Sequence, residues 1–187
     1  METKILVSLF CLGLFFVLSS SAEAQGNPTV LMKTSKGDIT IELDMAKAPI
    51  SVKNFLSYVD AKFYDGTIFH RVIKGFMIQG GGLTPDFKEK STNPPIKNES
   101  GNGLSNLRGM LAMARTEDLN SATAQFYINH VNNLFLDTNK YTVFGKVIKG
   151  MEVADAIAAV PTATVQGYAD APRQTVTIIS VRRVENK

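Results

Sequence analysis

The sequence predicts a fold dominated by antiparallel β-structure, a closed barrel or a sandwich, with two helices packed on it. Three observations lead there. Short runs of alternating apolar residues recur along most of the chain. Only two stretches carry the spacing of a helix face. Strand–helix–strand alternation, which would build a parallel sheet, is missing. The 187 residues are 44% hydrophobic and 20% charged, as expected for one globular domain with a sizeable core.

Residues 1–24 are set apart as a predicted export signal. Lys4 supplies a weakly basic start and Ile5 to Leu18 an uncharged apolar run too short to span a bilayer comfortably. Ser19 to Ser21 and the sequence Ala22-Glu23-Ala24 follow, and small residues at 22 and 24 form a cleavage pattern with the cut after Ala24. Cys11 lies inside the apolar run behind bulky Leu9 and Phe10, so a lipid-anchored cysteine is not expected. Residues 25–187 are then a single exported domain, with no membrane attachment once the signal is cut. Removing Glu2, Lys4 and Glu23 leaves 19 basic and 15 acidic residues, a net of +4. That mild, dispersed charge favours solubility and gives no reason to expect nucleic-acid binding. Cys11 is the chain's one cysteine, so the exported domain holds no disulfide and must rely on its core.

The elements follow in order. Residues 29–44, TVLMKTSKGDITIELD, have apolar residues at 30, 32, 39, 41 and 43 about a Ser-Lys-Gly-Asp turn, the pattern of a β-hairpin. Val52, Phe55, Leu56 and Val59 fall at i, i+3, i+4 and i+7 of a helix introduced by Ala48-Pro49 and followed by an Asp65-Gly66 turn. Two short strands, broken at Lys74-Gly75, fill FHRVIKGFMIQGGG, residues 69–82. Residues 83–106 are rich in Gly, Pro, Ser, Thr and Asn and lack periodicity, which marks a long functional or mobile loop. Strands are expected at 107–115, 124–129 and 141–148, a helix at 150–160 with Val153, Ile157 and Val160 on one side, and a last strand at 174–185.

Several chemistries are poorly supplied. Two histidines, His70 and His130, no cysteine after residue 24 and no HExxH spacing argue against a zinc or iron site. There is no G-x-S-x-G elbow for a nucleophilic serine. Gly80-Gly81-Gly82 lacks the Lys-Ser/Thr of a phosphate loop and the spacing of a dinucleotide fingerprint, so it is read as a bulge or sharp strand exit. No cofactor is expected.

What stands out is Arg71, in the middle of an apolar strand. Alternation would place it beside Phe69 and Ile73, with His70 and Val72 opposite. An arginine there is costly unless it has a partner or a task. Gln79 ends the next strand on the face of Met77, and Phe76, Phe126, Tyr127, Phe135, Leu136 and Tyr141 are large apolar residues on or beside predicted strands. An Arg–Gln pair beside an aromatic wall suits a neutral polar ligand; it suits a buried structural pair equally well.

The segment FHRVIKGFMIQGGG resembles the signature of the cyclophilins, peptidyl-prolyl cis-trans isomerases. The resemblance continues through LAMAR, AQFYI, FLD and VFGKVIKGMEVADAI and covers essentially residues 28–184. NPPIKNE and MART make it most similar to the exported, periplasmic members of Gram-negative bacteria. It implies an eight-stranded antiparallel barrel capped at each end by a helix, in agreement with the element count. It implies that Arg71 is the catalytic arginine and Gln79 the glutamine that steadies it. Phe76, Met77, Tyr127 and Leu136 correspond to the proline pocket, Ala114 and Arg115 to the pair holding the peptide backbone, and Gln125 to a further contacting glutamine. Phe135 stands where the family often has tryptophan, Tyr141 where it often has histidine, Tyr127 where phenylalanine is common, and Arg115 replaces an asparagine. The pocket stays apolar, but without the tryptophan weak cyclosporin binding is expected.

The expected substrates are unfolded or partly folded proline-containing polypeptides in the periplasm, and a monomer is the default. A binding module that captures proline segments with little turnover is the alternative, and the intact Arg71 and pocket residues speak against it. A ligand-carrying barrel would need a hollow interior, whereas the apolar strand faces suffice to fill a small one.

Overall fold

Val30, Met32, Ile39, Ile41 and Leu43 alternate along the first hairpin, and all five are fully buried. They line the interior of a curled sheet in the computed structural model, which describes residues 26–184. The expected export signal lies outside the described residues. The hairpin consists of β1 (Thr29–Thr34) and β2 (Gly37–Leu43), followed by α1 (Pro49–Asp60), β3 (Phe69–Ile73) and β4 (Met77–Gly80). Then come β5 (Met110–Met113), β6 (Phe126–Asn129), α2 (Phe135–Thr138), β7 (Val143–Lys149) and α3 (Met151–Ala158). The chain ends in β8 (Thr162–Val165), β9 (Tyr168–Pro172) and β10 (Ile178–Val184).

Eight strands form one antiparallel sheet in the order β10-β1-β2-β7-β5-β6-β4-β3. The expected eight-stranded antiparallel architecture is present, although its closure is looser than a continuous barrel ladder. The edges β3 and β10 meet through a single bridge, Ile68 to Thr177, with flanking bonds from Phe69 N–H to Val176 O (2.9 Å) and from Ile178 N–H to Thr67 O (2.7 Å). Inside, Phe55 of α1 meets Tyr64, Phe126 and Phe144 at centroid distances of 5.0, 5.6 and 5.4 Å. The interior is thus filled by side chains.

Three elements escape the sequence reading. The one-turn helix α2 is too short to show a period, and β8–β9 form a separate two-stranded hairpin. The described residues therefore contain ten strands and three helices, against about eight and two expected. The long loop 83–106 is neither structureless nor independent of the core: Glu99 accepts hydrogen bonds from Ile50 N–H (2.9 Å) and Ser51 N–H (2.8 Å) at the start of α1.

Candidate active site

The pairing of β3 with β4 slips at His70: Phe69 faces Gly80, yet Arg71 faces Gln79. Two residues of β3 advance for one of β4, which is a β-bulge. The expected alternation fails here. Phe69 packs with the interior cluster, and so does Val72, whereas Ile73 packs on the opposite face. The bulge thus turns Arg71 and Ile73 outward, and Arg71 does not share a face with Phe69.

On that outer face the ladder aligns Arg71, Gln79, Tyr127 and Ala112 across β3, β4, β6 and β5. One row along, Ile73, Met77 and Asn129 are opposite one another. Met77, Ala112, Tyr127, Leu136 and Val143 form a second buried apolar cluster, joined by Phe76, Ala114 and Tyr141. Above it opens a cleft of about 130 Å³ lined by Arg71, Phe76, Met77, Gln79, Ala114, Arg115, Tyr127, Leu136 and Tyr141. That is well below the roughly 300–1,000 Å³ of sites for drug-sized ligands and suits one small apolar ring.

Phe126 packs in the interior; of the eleven residues that the resemblance places at the site, nine line one cleft. The other two stand behind or beside it. Gln125 accepts a hydrogen bond from the Gln79 side-chain amide (3.0 Å). Gly82 leaves room for it, since a Cβ there would lie 2.5 Å from Gln125 Cγ. Phe135 is half exposed and stacks on Phe76 at 5.6 Å. Gln79 and Arg71 are cross-strand neighbours with no hydrogen bond between their side chains among the described residues. Among the described residues the nearest opposite charge to Arg71 is Asp170 of β9, with Oδ2 3.9 Å from Nε.

Arg115 is oriented away from the role of a free donor. Its guanidinium lies 4.3 Å from the centre of the Tyr141 ring and donates to the carbonyls of Thr116 (2.7 Å) and Asn139. It pins the Tyr141 wall of the cleft to the segment after β5.

Beneath the floor lies a polar network that the sequence reading missed. Asn106, Asn129 and Asn133 are buried. Asn106 Oδ1 accepts from Tyr127 Oη (2.8 Å) and Asn129 Nδ2 (3.1 Å). Asn133 donates to Asn129 Oδ1 (2.7 Å) and to the Phe76 carbonyl (2.8 Å). Asn106 donates to Asp137 (2.7 Å), at the end of the Leu136 helix. Three of the cleft's apolar residues thus belong to segments held by one satisfied network. Asparagine is disfavoured in strands, so Asn129 at the end of an apolar run was the available signal. Burial raises the Tyr127 hydroxyl, with Tyr141 and Asp137 adding to the effect, so it remains a neutral donor. His70, on the bulge, is buried and its pKa is lowered to about 4 by burial and by the Arg71 charge. It is a neutral structural residue packed near Tyr168.

Comparison with known proteins places the chain in a family. Residues 29–183 match the family model described as cyclophilin type peptidyl-prolyl cis-trans isomerase/CLD. Peptidyl-prolyl cis-trans isomerase A of Dickeya dadantii is 49% identical over 189 residues, covering 99% of this chain and all of that protein. A peptidyl-prolyl cis-trans isomerase of Acinetobacter baylyi is 58% identical over 166 residues, covering 87% of this chain and 88% of its own. A crystal structure of a Cryptosporidium parvum cyclophilin type peptidyl-prolyl cis-trans isomerase, in the presence of the dipeptide Ala-Pro, has a TM-score of 0.75 and 30% identity over 84% of this chain and 99% of that one. With the family model spanning nearly all described residues, the chain belongs to the cyclophilin-type peptidyl-prolyl cis-trans isomerases.

Proposed function

We propose that this isomerase seats the proline ring of an X-Pro segment in the cleft and that Arg71 supplies the catalytic contact. The observation that carries the reading is the placement of Arg71 beside a hollow, walled by Phe76, Met77, Tyr127 and Leu136, sized for a single small ring, while the second arginine there, Arg115, is engaged with Tyr141 and backbone carbonyls. The dipeptide named for the Cryptosporidium relative supports proline as the occupant.

Rotation about a peptide bond meets a barrier of about 18–20 kcal/mol because the C–N bond has double-bond character. Cis and trans X-Pro forms lie close in energy yet exchange in roughly tens to hundreds of seconds. No bond has to break. Acceleration requires only that the twisted amide be bound better than either planar form. Twisting localises the lone pair on the proline nitrogen and makes it an acceptor. A guanidinium N–H of Arg71 donates to it then, and gains little from the planar amide. Phe76, Met77, Tyr127 and Leu136 hold the ring while the preceding residue rotates. Gln79, held by Gln125, borders Arg71 and limits where its head can go.

Arg71→Ala is expected to abolish most of the acceleration of cis–trans exchange in an X-Pro peptide, measured by NMR exchange spectroscopy, with the far-ultraviolet spectrum and unfolding midpoint retained. Full activity in a folded variant would refute the assignment. Peptide line broadening without faster exchange in the wild type would favour a capture module.

We further propose that the protein acts on unfolded or partly folded exported polypeptides in the periplasm. The support is the apolar run with the Ala22-Glu23-Ala24 cleavage pattern. Protein recovered from a periplasmic fraction should begin at Gln25; an uncut chain confined to the cytoplasm would refute export.

A further inference from the structure

The hairpin β8–β9 lies against β3. Its turn carries two consecutive left-handed residues, Gln166 (φ 48°) and Gly167 (φ 86°), the backbone of a tight hairpin turn. Tyr168 anchors it, with its ring 5.2 Å from Phe87 and 6.3 Å from His70. Beyond Tyr168 the ladder slips. Val165 pairs with Tyr168 but Ala163 pairs with Ala171, so β9 gains one residue. Within this bulge Asp170 has φ +58°, a conformation uncommon outside glycine and tolerated best by Asp and Asn. Ala171 and Pro172 beyond it are buried, which ties that end of the strand to the body of the protein.

Each of the two strands that face one another thus carries a bulge, and bulges re-aim side chains. The bulge at His70 turns Arg71 outward, and the bulge in β9 presents Asp170. The result is the 3.9 Å approach of Asp170 Oδ2 to Arg71 Nε. The contact is to Nε, at the stem side of the fork, and among the described residues neither terminal nitrogen has a hydrogen-bond partner.

We propose that Asp170 is the positioning residue of the catalytic arginine. The hairpin lends a carboxylate that orients the guanidinium over the cleft without occupying its outer donors. The inference rests on Arg71 being the catalytic donor. Gln79 and Asp170 divide the confinement: Gln79 borders Arg71 from the next strand of the sheet, and Asp170 from outside it. A half-exposed ion pair contributes little to stability, so its effect belongs in catalysis, where a displacement of an ångström in a reacting group is costly.

Asp170→Asn keeps a residue that accepts the left-handed conformation and removes only the charge. Asp170→Gly keeps the backbone and removes the whole side chain. Both should unfold at the wild-type urea midpoint and bind an Ala-Pro peptide with unchanged Kd. The rate of cis–trans exchange at saturating peptide should fall roughly three- to tenfold in Asp170→Asn and at least as far in Asp170→Gly. The Arg71 Nε–H resonance should shift and broaden in both. A wild-type exchange rate and unshifted resonance in both variants, beside an inactive Arg71→Ala, would overturn the role of Asp170 alone. An active Arg71→Ala would instead overturn the catalytic reading beneath it.

Discussion

His70 and Arg71 are neighbours in sequence with opposite surroundings. The bulge leaves the histidine buried, with no hydrogen-bond partner for its Nδ1 among the described residues, while nearly half of the arginine side chain is exposed. In the unfolded chain the imidazole takes up a proton near pH 6.5, but in the folded one only near 4. The unfolded state therefore binds more protons in between, and stability falls as pH drops through that window. The shift corresponds to about 3 kcal/mol, fully present above pH 6.5 and lost toward pH 4. Urea midpoints measured from pH 7 to pH 4 should decline accordingly, and His70→Asn should flatten the decline whatever its absolute stability. An unaltered slope in that variant would show that another group titrates. The same scale explains why Tyr127 stands in for phenylalanine without making the pocket polar: its hydroxyl is directed to Asn106 while its ring remains in the apolar cluster.

At the scale of elements, α1 begins without a capping side chain of its own; Ala48 precedes it and Pro49 occupies its first turn. Glu99, nearly fifty residues later, serves instead. One carboxylate receives Ile50 N–H, Ser51 N–H and the Ser51 hydroxyl (2.7 Å). It satisfies orphan donors and sits at the positive end of the helix dipole. Glu99→Ala should cost about 1–2 kcal/mol and Glu99→Gln less, read as a shift in the denaturant midpoint; an unshifted midpoint in Glu99→Ala would remove it as the cap. The loop 83–106 looked irregular because its order comes from such remote contacts. The glycine run, expected to be a bulge or strand exit, meets a close-packing demand too. Gly81 has φ +85°, and a Cβ on it would lie 2.6 Å from the Phe126 ring.

For the whole molecule, acid sensitivity should come in two parts. The last strand is fastened to the end of α1 and the turn beyond it by Arg183 with Asp60 (2.7 and 2.6 Å) and Arg182 with Asp65 (2.8 and 2.5 Å). Hydrogen bonding to these arginines holds both carboxyls below their ordinary range. Folded pKa values below the unfolded 3.8 mean that this stabilisation is present above pH 4 and lost as pH falls through the folded values. The Arg183–Asp60 pair is exposed and the Arg182–Asp65 pair partly so, and salt therefore screens them. Half-molar salt should shrink the loss of stability below pH 4 more than the His70 limb above it, because burial is the main cause of the His70 shift and the Arg71 charge the lesser one; equal salt effects on both limbs would contradict the assignment.

Periodicity and turn chemistry alone determined much of this protein. The hairpin of residues 29–44, the α1 face of Val52, Phe55, Leu56 and Val59, and the antiparallel class were legible because each is written within a few residues. The arginine beside Phe76, Met77 and Gln79 was legible as an anomaly, and the role proposed for it came from the resemblance of the surrounding motif. Tertiary structure decided the rest. Whether Arg71 faced inward or outward depended on one extra residue in a ladder, and alternation along β3 cannot reveal a bulge created by its pairing with β4. The asparagine network, the Glu99 cap and the approach of Asp170 join residues that are distant in sequence. Hydrogen bonds and ion pairs act over about 3–4 Å of space, so only the folded chain shows which of these polar residues meet.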